Sequence, residues 1–383
     1  MNIRPRIDRC RIALVIAFLL MFQIGVLREV LELRLRQRRQ ESMVYLPQET
    51  VLRVERLLQA GGLPVQNNQK LAGADNINGE PSDKEEAKRS SYELERFNNM
   101  LKAWPVNKPK AAIYILVKSS RFTSTLKDGL DRLDRYFNDI YHYPLVLFHE
   151  TGVSDTDIAS IRSWTRSDVY FQLVKFSVPK WINETKLEGD IAKAGDKRYG
   201  YRHMCRFHAI SMQVTPIMRL VDYYWRLDDD SRLIGQVPFD LFKFMAKGNL
   251  TYGYVHMSPE NPDYVVGLYP RVNSYLTNKQ IQPTFFRKLH RNRYFFNNFE
   301  LASLHFWRSK NVSEFLNALD RSGGFYYHRW GDAVVKTLVV SIFAPIGSVY
   351  QFTEVPYVHK NVNTTSREFR YAYGRNLAQM VMY

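Results

Sequence analysis

Ala111-Ala112-Ile113-Tyr114-Ile115-Leu116-Val117 is an unbroken apolar run with no breaker, the pattern of a strand buried on both faces. After it, Leu126, Leu130, Leu133, Phe137 and Ile140 fall on one stripe of a helix that Thr123 or Ser124 can cap. Pro144-Leu145-Val146-Leu147-Phe148 reads as the next strand, ending at His149 and Glu150. Strand, helix and strand at this spacing predict a βαβ unit. The expected class is therefore α/β, with a parallel sheet whose ligands gather at the carboxyl ends of its strands.

A further strand end carries the chemistry. The run Tyr223-Tyr224-Trp225-Arg226-Leu227 passes directly into Asp228, Asp229 and Asp230, on the same rim as Ser119 and Ser120. Ionised carboxylates only accept hydrogen bonds, and they repel one another unless donors or a cation hold them. Hard divalent ions such as Mg²⁺ or Mn²⁺ supply that cation. The spacing Asp228-x-Asp230 matches the short acidic pattern by which nucleotide-sugar transferases hold a metal-bound nucleoside diphosphate. A solvated acidic turn closing a strand has the same appearance, so the cluster needs support from the rest of the chain.

The chain opens with Arg4, Arg6, Arg9 and Arg11, then runs apolar from Ile12 to Leu27, and becomes charged again at Arg28. This pattern predicts an uncleaved signal anchor over 12–27 behind a cytoplasmic tail of residues 1–11, since no small-x-small cleavage site ends the run. The basic flank on the N-terminal side leaves everything after Leu27 in the lumen. Residues 28–107 read as a stem, poor in large apolar residues between about Gly61 and Ser91. Residues 108–383 read as the catalytic domain. Asn183, Asn249, Asn311 and Asn363 each open an Asn-x-Ser/Thr triplet, compatible with a lumenal domain. The two cysteines fall on opposite sides of the membrane, Cys10 outside the lumen and Cys205 within it, so no intrachain disulfide is expected.

The net charge of +16 also raises nucleic acid as a partner. Lys and Arg are spread along the chain, no nucleic-acid motif appears and the anchor separates the protein from nucleic acid, so that class is excluded. A basic lumenal domain suits anionic diphosphates, acidic glycans or the membrane surface.

Four blocks in order are far more specific: Tyr201-Arg202-His203-Met204-Cys205-Arg206-Phe207, Tyr223 to Asp228, Asn298-Phe299-Glu300, and Gly323-Gly324-Phe325-Tyr326-Tyr327-His328-Arg329-Trp330-Gly331-Asp332. From about residue 108 to 365 the chain resembles the Golgi α-1,2-mannosyltransferases of the fungal type, glycosyltransferase family 15. The resemblance implies a GT-A nucleotide-sugar transferase fold, a mixed, mainly parallel sheet flanked by helices. It implies GDP-mannose as donor, Mn²⁺ as cofactor, and retaining transfer to the 2-hydroxyl of a mannose-terminated glycan on protein. It also implies a single-pass type II protein of the Golgi membrane. By the same resemblance Asp228 and His359, within Tyr357-Val358-His359, fall on the metal positions; Asp230, two residues after Asp228, reads as direct or water-mediated support for that metal at the diphosphate. Glu300 and Asp332 fall on the active-site acids, Tyr201 and Arg226 on the substrate contacts.

Two features depart from the family. Asp228-Asp229-Asp230 stands where members commonly have Glu-Pro-Asp or Glu-Pro-Asn, and the lumenal cysteines usual in fungal members are missing. Several residues also carry a plainer reading. Arg226 serves either a phosphate or an internal salt bridge with the neighbouring aspartates, Asp332 either chemistry or a helix cap. Tyr201, Trp225, Tyr326, Tyr327 and Trp330 are either sugar-stacking walls or core. The competing functions are a related retaining hexosyltransferase with another donor or acceptor, and a catalytically silent sugar-binding membrane protein.

Overall fold

The computed structural model describes residues 83–117, 124–187, 199–289, 293–366 and 369. The anchor, Cys10, the N-terminal part of the stem, Ser119, Ser120 and Thr123 lie outside the described residues. Among the described residues no helix is long and apolar enough to cross a membrane.

The expected βαβ unit is present. Strand β1 (Ala111–Val117) leads through a helix over Ser124–Leu133 to β2 (Leu145–His149), and then to β3 (Val169–Leu173) and β4 (Tyr223–Leu227). The remaining strands are β5 (Arg232–Leu233), β6 (Tyr252–Tyr254), β7 (Met257–Pro259), β8 (Arg293–Phe295), β9 (Phe299–Ser303), β10 (Val349–Gln351), β11 (Tyr357–His359) and β12 (Val362–Asn363). The central sheet runs β10-β6-β9-β4-β1-β2-β3. All its pairings are parallel except those of β9, which lies antiparallel between β4 and β6. The result is a mixed α/β fold with a mainly parallel sheet.

Alternation along the strands divides the core in two. Ile113, Trp225 and Leu301 face one side, where Leu126, Leu130 and Leu133 of the first crossover helix cover them. Ala112, Tyr114, Tyr224, Tyr252 and Ala302 face the other, beneath the helix Asp332–Phe343. That helix is apolar on nearly all sides and buried along almost its whole length, as a helix enclosed on every side must be.

Two expectations differ from what the fold does. Ile140 is 57% exposed, although it was assigned to the buried stripe with Phe137. After Leu133 the chain makes one turn of π-helix over Asp134–Asn138; the wider turn keeps Phe137 inside and rotates the residues beyond it off the stripe. Packed structure also begins well before Lys108. A helix over Asp83–Lys102 lies against β3, with the Phe97 and Tyr170 rings 4.9 Å apart and Arg96 donating to the Val169 carbonyl. Its buried face includes Glu86, whose Oε1 accepts from the Gly152 amide, and Glu93, held by Arg96 and Arg162, so it shows little apolar periodicity in the sequence.

Candidate active site

Three strand pairings assemble the site. The register Val358↔Arg232 between β11 and β5 sets His359 across from the turn that follows β4. One ligand atom from each of Asp228, Asp230 and His359 lies within 4.8 Å of the other two. His359 is buried, and its Nδ1 stands 2.9 Å from Asp230 Oδ1. The two atoms approach without the alignment of a good hydrogen bond, so Asp230 is the polar neighbour of this buried nitrogen. Two carboxylates and one imidazole form a donor set that fits a hard to borderline divalent cation such as Mn²⁺.

The turn is itself braced. The Asp228 amide donates to Ser231 Oγ at 3.1 Å, and Ser231 Oγ and the Tyr357 hydroxyl are 2.8 Å apart. Because Leu227 pairs with Phe299, Asn298 comes opposite Asp228 and its amide donates to Oδ2. Asp228 thus carries supports on both sides before any ligand arrives.

Beneath the rim lies a buried polar layer. Tyr114, Arg226, Glu300 and Tyr254 are register neighbours across β1, β4, β9 and β6 and so share one face of the sheet. Arg226 is 2% exposed and spends its guanidinium on two carboxylates: Nη1 to Asp332 Oδ2 at 2.5 Å, Nη2 to Asp228 Oδ1 at 3.0 Å. The internal salt bridge considered for Arg226 is therefore present. Asn297 adds a second donor to Asp332 Oδ2 at 2.7 Å. Burial alone would raise the proton affinity of Asp332; Arg226, with help from His208 and Lys336, outweighs it and holds the carboxyl well below the usual carboxylate range. Asp332 is the first residue of its helix, after Gly331 at the N-cap position, which makes no side-chain cap, so Asp332 does not play the capping role considered for it.

Glu300 is wholly buried and does not touch the metal-type cluster. Its Oε1 accepts from Lys336 Nζ at 2.6 Å and from the Tyr224 hydroxyl. Its Oε2 is buried without an aligned hydrogen bond, and the buried Tyr252 hydroxyl borders the same carboxylate. Tyr201 stands on the open side of Asp332, 36% exposed, with the Arg329 guanidinium 4.1 Å over its ring and equally close to Tyr264. Arg329 holds this place at φ 57, a left-handed conformation that costs a non-glycine residue about 1–3 kcal/mol.

Of the aromatic residues considered as sugar-stacking walls, Trp225, Tyr326 and Trp330 are buried core, and Tyr201 retains an open face. Cys205 is a buried free thiol whose pKa burial pushes up, in keeping with a packing role. Lys336 was missed. It sits inside the apolar run Ala333 to Phe343, and the available signal was its position one turn after Asp332, on the same helix face.

The sequence profile of the family described as glycolipid 2-alpha-mannosyltransferase matches residues 64–372. The chain is similar to the O-glycoside alpha-1,2-mannosyltransferase omh1 of Schizosaccharomyces pombe, 27% identical over 281 residues, covering 67% of this chain and 70% of that protein. It is similar to the glycolipid 2-alpha-mannosyltransferase of Saccharomyces cerevisiae, 28% identical over 278 residues, covering 66% of this chain and 61% of that one. Among solved structures it resembles core-mannan synthase A (CmsA/Ktr4) of Aspergillus fumigatus in its Mn/GDP form, with a TM-score of 0.64, 25% identity, and coverage of 68% of this chain and 77% of that chain. The mannosyltransferase Ktr4p of S. cerevisiae, at 21% identity and a TM-score of 0.63, shares the fold over 77% of this chain and 84% of its own.

Proposed function

Because the chain belongs to the glycolipid 2-alpha-mannosyltransferase family, we propose that it is a retaining α-1,2-mannosyltransferase of GT-A type. It moves mannose from GDP-mannose to the 2-hydroxyl of a mannose-terminated glycan. The observation that carries the reading is the meeting of Asp228, Asp230 and His359, joined through Arg226 to the buried acid Asp332, with Glu300 the register neighbour of that arginine. The Mn/GDP form of the Aspergillus relative supports manganese and GDP as the ligands of this rim.

Asp228 and His359 would hold the ion, with Asp230 as support, and a bound divalent cation would supply neutralising charge for the diphosphate. The other residues act on the sugar. Arg226 keeps Asp332 ionised and holds both Asp228 and Asp332 in place. Asp332, whose proton affinity is low, accepts hydrogen bonds from sugar hydroxyls and is a poor base. Glu300 supplies negative charge for the anomeric carbon as positive charge develops there. The bond from that carbon to the phosphate oxygen breaks, a bond to the acceptor 2-oxygen forms, and the hydroxyl proton leaves on the diphosphate. Tyr201 lines the open side, where the acceptor enters.

The Arg-flanked apolar run 12–27 supports a type II anchor in the Golgi membrane, with the catalytic domain in the lumen. The test of function is an assay of the purified protein with GDP-mannose, Mn²⁺ and a mannoside acceptor, followed by linkage analysis. An α-1,2 product that requires the metal supports the reading. Sugar binding without turnover would leave a silent binding protein in its stead.

A further inference from the structure

The carboxylate of Glu300 is unevenly served. Oε1 takes both the Lys336 ammonium, at 2.6 Å, and the Tyr224 hydroxyl, while Oε2 is buried with no aligned donor, the Tyr252 hydroxyl bordering the carboxylate. Lys336 is 1% exposed, and its neighbours Val334, Val335, Leu338, Val339 and Val340 form one of the most apolar helices of the fold. A buried ion pair is weak support for stability, because well-packed apolar residues in its place are commonly as good or better. Burial lowers the pKa of the Lys336 ammonium, against the pull of Glu300. The pair therefore needs a reason other than packing, and the free oxygen supplies it.

We propose that Lys336 is a positioning residue: with Tyr224 it pins Glu300 through one oxygen and leaves Oε2 free for the anomeric carbon. This rests on the reading of Glu300 given above. Lys336 itself touches no substrate and acts only through Glu300. Its long stem comes from the helix that Asp332 opens, so both buried acids are set by one rigid element and by β4 beside it.

The test uses the full chain with Lys336→Met, Lys336→Arg, Glu300→Gln and the Lys336→Met/Glu300→Gln double variant, read by kcat, KM for GDP-mannose, GDP affinity and thermal midpoint. The expected result for Lys336→Met is a kcat about 10²-fold lower, the scale of losing one preorganised donor, with KM and GDP affinity within about twofold. Lys336→Arg should recover part of it. Added to Glu300→Gln, Lys336→Met should cost nothing further, because the lysine acts through that carboxylate. A purely structural lysine would give an additional loss in the double variant, and that result overturns the proposal, as does unchanged kcat in Lys336→Met. Wild-type turnover by Glu300→Gln would instead remove Glu300, and the underlying reading with it. Should Lys336→Met fail to fold, Tyr224→Phe decides: a lower kcat at unchanged KM supports the pinning of Oε1, and unchanged kcat overturns it.

Discussion

Arg226 and Glu300 are direct register partners on β4 and β9, yet each takes its ionic partner elsewhere: Arg226 from Asp228 and Asp332, Glu300 from Lys336. Two opposite charges side by side are thus divided between two networks, one tied to the rim and one to the helix behind it. Removing the guanidinium should therefore strand Asp332 without relieving Glu300. Arg226→Met is expected to lower stability by about 3–5 kcal/mol, the cost of leaving a buried charge unpaired, as read by urea unfolding. A loss below about 1 kcal/mol would mean that Asp332 finds other partners.

Asp332 also gives a sign to the acid limb of stability. Its folded pKa lies below the unfolded value of about 4, so the native state binds fewer protons than the unfolded one near that pH. The stabilisation is fully present above the unfolded value and is lost as pH falls toward the folded one. In Asp332→Asn the difference from wild type should shrink steadily below about pH 4, as measured by unfolding at a series of pH values. A difference independent of pH would show that the asparagine acts by packing alone.

Asp228 and Glu300 should separate binding from chemistry. Glu300→Gln is expected to lower kcat by about 10²- to 10⁴-fold, with GDP affinity nearly unchanged. Asp228→Ala should lose both transfer and metal-dependent GDP affinity. Steady-state kinetics beside GDP calorimetry distinguishes the two, and equal activity of either variant with wild type would remove that residue from the mechanism.

Gly324 provides a packing test close to the site. A Cβ there would stand 2.3 Å from the ring of Trp330, which is itself buried and donates to the Val266 carbonyl. A buried indole held by a hydrogen bond does not swing aside cheaply. Gly324→Ala should cost about 1–3 kcal/mol in thermal or urea unfolding, and a neutral result would show that the indole yields.

The legible parts of the molecule were those where burial and residue type agree. β1 is apolar throughout, β2 and β4 are apolar but for His149 and Arg226, and the acidic turn after β4 stands out against them. The gathering of His359 with that turn came from resemblance, since its physical cause is the pairing of β11 with β5, over 120 residues apart in the chain. Lys336 and the helix Asp83–Lys102 escaped for opposite reasons. The lysine is hidden in an apolar run that reads as core, and the helix buries acids, so its inner face looks like solvent. The antiparallel β9 carries Glu300 at its second position, and a charge inside a short strand conceals the period-two signal.

The most direct measurement is Mn²⁺ binding by the purified protein in the presence of GDP, by calorimetry, for wild type and for His359→Ala. The wild type should bind one ion whose affinity depends on GDP, and His359→Ala should bind at least tenfold more weakly while keeping its thermal midpoint within a few degrees. Equal binding by the two proteins, or none by the wild type, would contradict a metal-held diphosphate at this rim.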